Sequence, residues 1–318
     1  MGDQPSAKQQ RLTSSGLATH DASTVTDFYQ DLVLGIGIGA LDALLAMGIV
    51  LIYRTTGVLN FAQAATGALS AYVAYSISAA RPLTSLWLAI PAALLTGGII
   101  GVGTFLAVSH LRSRQIALTS AVATLAVAVL LQQIIRIQYG SVAGLFPSPL
   151  DQLTTTVGGV HLPGQLLGAA VLALSLALLI GAGLKFTRVG TMVRALADNR
   201  DAARLCGANA LLLTGGVWAL AGMLAALSGI FAAQGLFIEP SFLDTYFVAA
   251  LIAAVIGGLR SLTGAFAGAV ALEIAKNMFQ TYAPTYGQYA QTFLLLLLVA
   301  VLVAAPRRWL AQSEPRAV

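Results

Sequence analysis

The chain has 318 residues, of which 58% are hydrophobic and only 9% charged, and its mean hydropathy is +0.83. Soluble domains carry about 25% charge, so this composition excludes a water-soluble globular fold and places the chain in a membrane. The net charge of +5 does not point to nucleic acid, because the basic residues sit at the ends of apolar runs, where orientation in the bilayer accounts for them.

Residues 1–31 are polar, rich in Ser, Thr and Gln, and lack the apolar core of a secretion signal. They read as a flexible or surface-lying tail. Apolar runs follow at 32–53, 57–80, 86–108, 115–138, 165–184, 210–236 and 286–305, each near the roughly 20 residues that cross the hydrocarbon. The runs are continuous rather than alternating, which predicts helices and not barrel strands. The stretch between Thr245 and Met278 is too long for one span and breaks at a Gly-rich turn, so it reads as two crossings, 245–259 and 261–280. The expectation is an all-α integral membrane bundle of about nine crossings, with a transmembrane domain at 32–306 and a tail at 307–318.

Lys and Arg set the orientation. Loop 109–114 holds Arg112 and Arg114, loop 185–209 holds Lys185, Arg188, Arg194, Arg200 and Arg204, and the tail holds Arg307, Arg308 and Arg316. Loop 139–164 has no Lys or Arg, and 237–244 has Glu239 and Asp244 instead. The basic loops, with Arg54 and Arg260, are therefore expected in the cytoplasm and the N-terminus outside.

Glycines recur along the spans (Gly35, Gly37, Gly39, Gly97, Gly98, Gly101, Gly103, Gly264, Gly268) and are expected to let helix backbones approach. Asp42 is an ionisable residue within the first span, a functional candidate by default: it can pair across the bundle or meet a substrate amine. Asn60 and Gln63 stand three apart, which on a helix is one face, and buried amides need partners; a structural role and a pathway-facing one both fit. Gly257 to Gly264 reads as a sharp reversal, either a plain tight turn or a gate. Glu273 and Lys276, also three apart, read as a local ion pair. In loop 185–209 a slim helix from Thr191 to Leu205, ended by Gly207, fits Ala195, Ala197, Ala202 and Ala203. Cys206, the single cysteine, excludes an internal disulfide and reads as a small filler in this helix. No Walker pattern is present, so the chain is not expected to bind ATP. Nor does the sequence show a His/Cys metal cluster or a nucleophile–base constellation, which leaves no candidate catalytic residue.

Three of these stretches carry a resemblance. Asp201-Ala202-Ala203-x-x-x-Gly207 resembles the EAA-x3-G coupling loop of ABC importer permeases, with Asp for Glu, and the run Arg194–Asn209 looks like its branched-chain amino acid (LIV-type) version. Gly57-Val58-Leu59-Asn60-Phe61-Ala62-Gln63 resembles the G-x-x-N-F-(A/G)-(H/Q) signature of the same family, and Gly257-Gly258-Leu259-Arg260-Ser261 resembles its G-G-x-G-S turn, with Arg260 where Gly is usual. The resemblance implies a type II-like ABC importer permease, the shorter of two permease partners. It implies two cytoplasmic ATPases that bind ATP and Mg, a periplasmic or surface-anchored binding protein, and residence in the bacterial inner membrane. It assigns ATPase coupling to Arg194, Ala195, Asn199, Arg200, Asp201, Ala202, Ala203 and Gly207. It assigns the pathway or gate to Asn60, Phe61, Gln63, Gly257, Gly258, Ser261 and Gly264, to which the buried charge adds Asp42. A stand-alone secondary transporter or channel that uses Asp42 for ion coupling is the alternative.

Overall fold

The computed structural model describes residues 7–80, 86–110, 116–140, 146, 150, 153–234 and 238–304. Arg112 and Arg114 and the tail from 305 onward, with Arg307, Arg308 and Arg316, lie outside the described residues. The order is α1 (Ala7–Thr56), α2 (Gln63–Ala80), α3 (Leu86–His110), α4 (Ile116–Tyr139), β1 (Thr155–Val157), β2 (Val160–Leu162), α5 (Gly164–Phe186), α6 (Arg188–Asp198), α7 (Arg200–Leu205), α8 (Ala210–Ala233), α9 (Asp244–Ile256), α10 (Leu262–Tyr282), α11 (Pro284–Gly287) and α12 (Ala290–Ala304). β1 and β2 form a short antiparallel hairpin, a small departure from an all-α chain.

Among the described residues, five helical stretches are long and apolar enough to cross a bilayer: Thr26–Thr56, Leu88–His110, Thr119–Tyr139, Gly164–Phe186 and Ala210–Ala233. The remaining expected crossings fall on helices too short or too polar for that measure. Asp244–Ile256 has 13 residues, and α10 carries Glu273 and Lys276. The first helix is not cut at residue 32 either. It runs unbroken from Ala7, and Gln30 holds it to β2 by accepting from His161 N–H at 2.6 Å and donating to His161 O at 3.0 Å.

Helix α1 is the hub. Leu44, Leu45, Met47, Val50 and Ile52 are wholly buried, and α1 packs against α5, α8, α9 and α10. Glycine makes two of these crossings close. A Cβ on Gly35 would come within 2.6 Å of Ile274 Cα, and one on Gly39 within 2.7 Å of Val270 Cα. At the α3–α8 crossing, a Cβ on Gly97 would meet the Gly222 carbonyl oxygen at 2.4 Å, and one on Gly101 the Trp218 carbonyl oxygen at 2.2 Å. Gly103 faces open space and has no such role. Helix α5 buries little of its surface within the chain and turns Leu167, Val171, Leu174, Leu178 and Leu179 outward. That surface suits lipid or another apolar helix, since hydrocarbon replaces water as the solvent there.

Candidate functional site: the α6–α7 knob and the buried polar groups

The connection from α5 to α8 is built by a succession of caps. Thr187 ends α5 and starts α6, its hydroxyl accepting from Gly190 N–H at 2.9 Å. Gly190, Val193 and Leu196 form the buried stripe of α6. The expected single helix from Thr191 to Leu205 is not what forms: the chain leaves helical geometry at Asn199, at φ −151° and ψ 107°. Asn199 Oδ1 accepts from the Asp201 and Ala202 N–H groups at 3.1 and 3.0 Å, so it caps a second helix, α7. Asparagine competes for backbone donors with its own side chain, and here that bond replaces the helical one.

Gly207 ends α7 as expected. Its φ is +84°, with Gly207 N–H on Arg204 O and Ala208 N–H on Ala203 O, both at 3.0 Å. This is a Schellman closure, which needs a left-handed residue that glycine adopts without strain. Asn209 then caps α8 through Leu212 N–H. Of the coupling candidates, Ala203 is buried, while Ala195, Asn199, Asp201, Ala202 and Gly207 are exposed and Arg194 and Arg200 half-buried. Arg194 donates to Lys185 O. Cys206 is exposed rather than a filler. Leu205, just before the Cys206–Gly207 cap, is 91% exposed, an outward apolar side chain that spacing alone does not single out.

The pathway candidates fall in three places. Asn60 does not share a helix face with Gln63, because it precedes α2. Its Oδ1 accepts from Ala62 N–H and its Nδ2 donates to Gln63 Oε1, both at 3.0 Å. Gln63 Nε2 donates to Ala221 O at 2.7 Å, which ties the α1–α2 connection to α8. Phe61 meets Phe247 edge-on at 6.1 Å. The second place is the turn between α9 and α10, where Gly258 and Leu259 have φ of +84° and +56°. Gly257 backs onto Ala265 N at 2.5 Å from where a Cβ would stand, and Ser261 Oγ caps α10 through Gly264 N–H. This turn shares pockets with Arg54, Arg194 and Asp198 and so belongs beside the knob.

The third place is Asp42. It is wholly buried, and the polar side chain that reaches its carboxyl group is Glu273. Beside it stand Glu273 and Lys276 of α10. The expected Glu273–Lys276 pair forms, at 2.5 Å, but it lies inside the bundle with Glu273 only 1% exposed.

A sequence profile of the family described as branched-chain amino acid transport system, permease component, matches residues 32–302. The chain belongs to this family. The permease is 28% identical over 280 residues to a probable branched-chain amino acid transport permease protein LivH of Methanocaldococcus jannaschii, an alignment covering 83% of this chain and 86% of that protein. It is 25% identical over 309 residues to the high-affinity branched-chain amino acid transport system permease protein LivH of Escherichia coli K12, covering 90% and 96%. A shorter match, 26% over 145 residues and 43% and 41% of the two chains, is to the fructose import permease protein FruF of Bifidobacterium longum. The family is one of transport-system permease components.

Proposed function

We propose that this permease is the membrane subunit of an ATP-driven importer for a branched-chain amino acid or a related small polar or carboxylate solute. It crosses the bacterial inner membrane about nine times and pairs with a second LIV-type permease subunit. Two ATPases, which hold the ATP and Mg, grip the α6–α7 knob on the cytoplasmic side, and a periplasmic or surface-anchored binding protein delivers the solute. The observation that carries this reading is the knob itself. It is short, capped at every joint, and presents Ala202 and Leu205 outward in a family of transport permeases. ATP-driven closure of the partners moves the knobs together, and the bundle alternates the side to which its pathway opens.

The experiment is Gly207→Pro. Proline holds φ near −65°, whereas Gly207 sits at +84°, so the variant breaks the Schellman closure in an exposed loop and leaves the spans alone. Membrane insertion should persist, and uptake should fall at least about tenfold because the joint that fixes α7 is lost. Undiminished uptake would sink the coupling assignment.

The substrate named here follows the relatives' names, one of which is fructose, so ligand identification on the binding protein is the test of that part. The wholly buried carboxyl group of Asp42, beside Glu273 and Lys276, favours a second reading, a stand-alone transporter coupled to an ion. Vesicles holding only this polypeptide discriminate the two: uphill uptake without ATP, lost in Asp42→Asn, supports the second reading.

A further inference from the structure

Four cations converge on one pocket at the end of the bundle that carries the knob. Arg54 lies in the last turn of α1 and Lys185 in the last turn of α5. Arg194 comes from α6 and Arg260 from the turn before α10, and all four line a cavity of about 350 Å³ with Ser261 and Thr263. None of the four is in an ion pair among the described residues; Arg204–Asp201 and Lys276–Glu273 are ion pairs elsewhere. Asp198 lines the adjoining pocket, which Arg54 and Arg260 share. Arg194 Nε is buried without a partner, while Lys185 Nζ rests 5.1 Å from the centre of the Phe186 ring. The first turn of α10 also faces the cavity through Leu262 and Thr263, and a helix start adds partial positive charge, although Ser261 Oγ takes the Gly264 N–H.

We propose that this pocket binds a phosphate-bearing anion, namely the headgroup of an anionic phospholipid. Position favours a lipid over a dissolved anion. Arg54 and Lys185 end two of the helices long and apolar enough to span, so the pocket opens at the hydrocarbon boundary, where headgroup phosphates sit and where basic pockets between spans take anionic lipids. Three arginines offer forked donors that match phosphate oxygens. The site joins four elements, α1, α5, α6 and the α9–α10 turn, so a bound headgroup cross-links the base of the knob to the turn. The inference rests on the spans and not on the importer reading.

The test is lipid retention by the full chain, purified with whatever subunits accompany it, in nanodiscs of phosphatidylcholine with a minor fraction of phosphatidylglycerol, read by native mass spectrometry. The parent should retain phosphatidylglycerol selectively. Arg54→Gln with Arg260→Gly should weaken retention roughly 10- to 30-fold, at about fivefold per charge removed. Arg54→Lys with Arg260→Lys should keep most of it, and equal melting temperatures would exclude misfolding as the cause. A second arm adds inorganic phosphate: failure to displace the lipid at millimolar concentration supports the headgroup, whereas displacement would mean that the pocket serves free phosphate and would overturn the lipid assignment. Equal retention of phosphatidylcholine, unchanged retention in the Arg54→Gln, Arg260→Gly variant, or loss of a partner protein with lipid retention intact would each overturn the proposal. None of these readings uses transport, so failure of the importer reading leaves the test intact.

Discussion

Glu273 and Lys276 meet one helical turn apart, and Glu273 is almost wholly buried. Removing the cation leaves the Glu273 carboxylate without an opposite charge in the interior. A broken buried pair costs about 3–5 kcal/mol, whereas replacing both partners by neutral groups of similar shape is close to neutral. Lys276→Met should therefore lower the melting temperature in detergent by many degrees, and Lys276→Met with Glu273→Leu should recover most of the loss; equal melting of the single variant and the parent would refute the account. Gln63 belongs to the same scale. Gln63→Leu removes the bonds to Asn60 and Ala221 and should cost about 1–2 kcal/mol, read as a lower melting point with insertion unchanged. The spacing of Glu273 and Lys276 was legible because both lie on one helix. Their meeting with Asp42 was not, because it depends on how α1 and α10 cross, which one-dimensional spacing does not encode. Asn60 was misplaced for a related reason: three-residue spacing fits a capping turn as well as a helix face.

At the scale of elements, glycine fixes how near the helices come. Gly97→Ala sets a methyl carbon against the Gly222 carbonyl at 2.4 Å, so α3 and α8 must separate, at a cost of about 1–3 kcal/mol for overpacking. Gly103→Ala, on the same helix but facing open space, should leave the melting point unchanged, and the contrast between the two variants is the check. The sequence showed that these glycines pack helices; which of them do so depends on the helix face, and Gly103 is the exception. The break at Asn199 escaped a reading by periodicity because its alanine-rich flanks suit a helix on both sides. Asn199→Ala removes the cap of α7 for about 1 kcal/mol, and Asn199→Asp keeps an acceptor in its place. If the knob couples to ATPases as proposed, uptake should fall in the first variant and be largely preserved in the second, while hydrolysis by those ATPases persists in both.

At the scale of the whole molecule, alternating basic loops make a topological statement. Reporter residues placed in the β1–β2 hairpin and in the α6–α7 knob should react from opposite sides of the membrane in intact cells; reaction from the same side would require a different number of crossings. The sequence made the membrane class plain because composition alone decides it. The crossing count was harder. Interior charge on α10 and the 13-residue length of α9 weaken the hydropathy signal where helices are sheltered by their neighbours rather than by lipid. Helix α1 extends N-terminal of its apolar run, back to Ala7, because polar composition marks where a span ends and not where a helix does.

The lone thiol sits on the surface at the close of α7. The unaltered permease is consequently its own spectroscopic reporter, since a spin label or dye on Cys206 marks one site and no other. Such a label should tumble freely on the isolated chain and become immobilised when the proposed nucleotide-hydrolysing subunits are added. Its signal should then change with each turnover, giving the stroke a visible pointer.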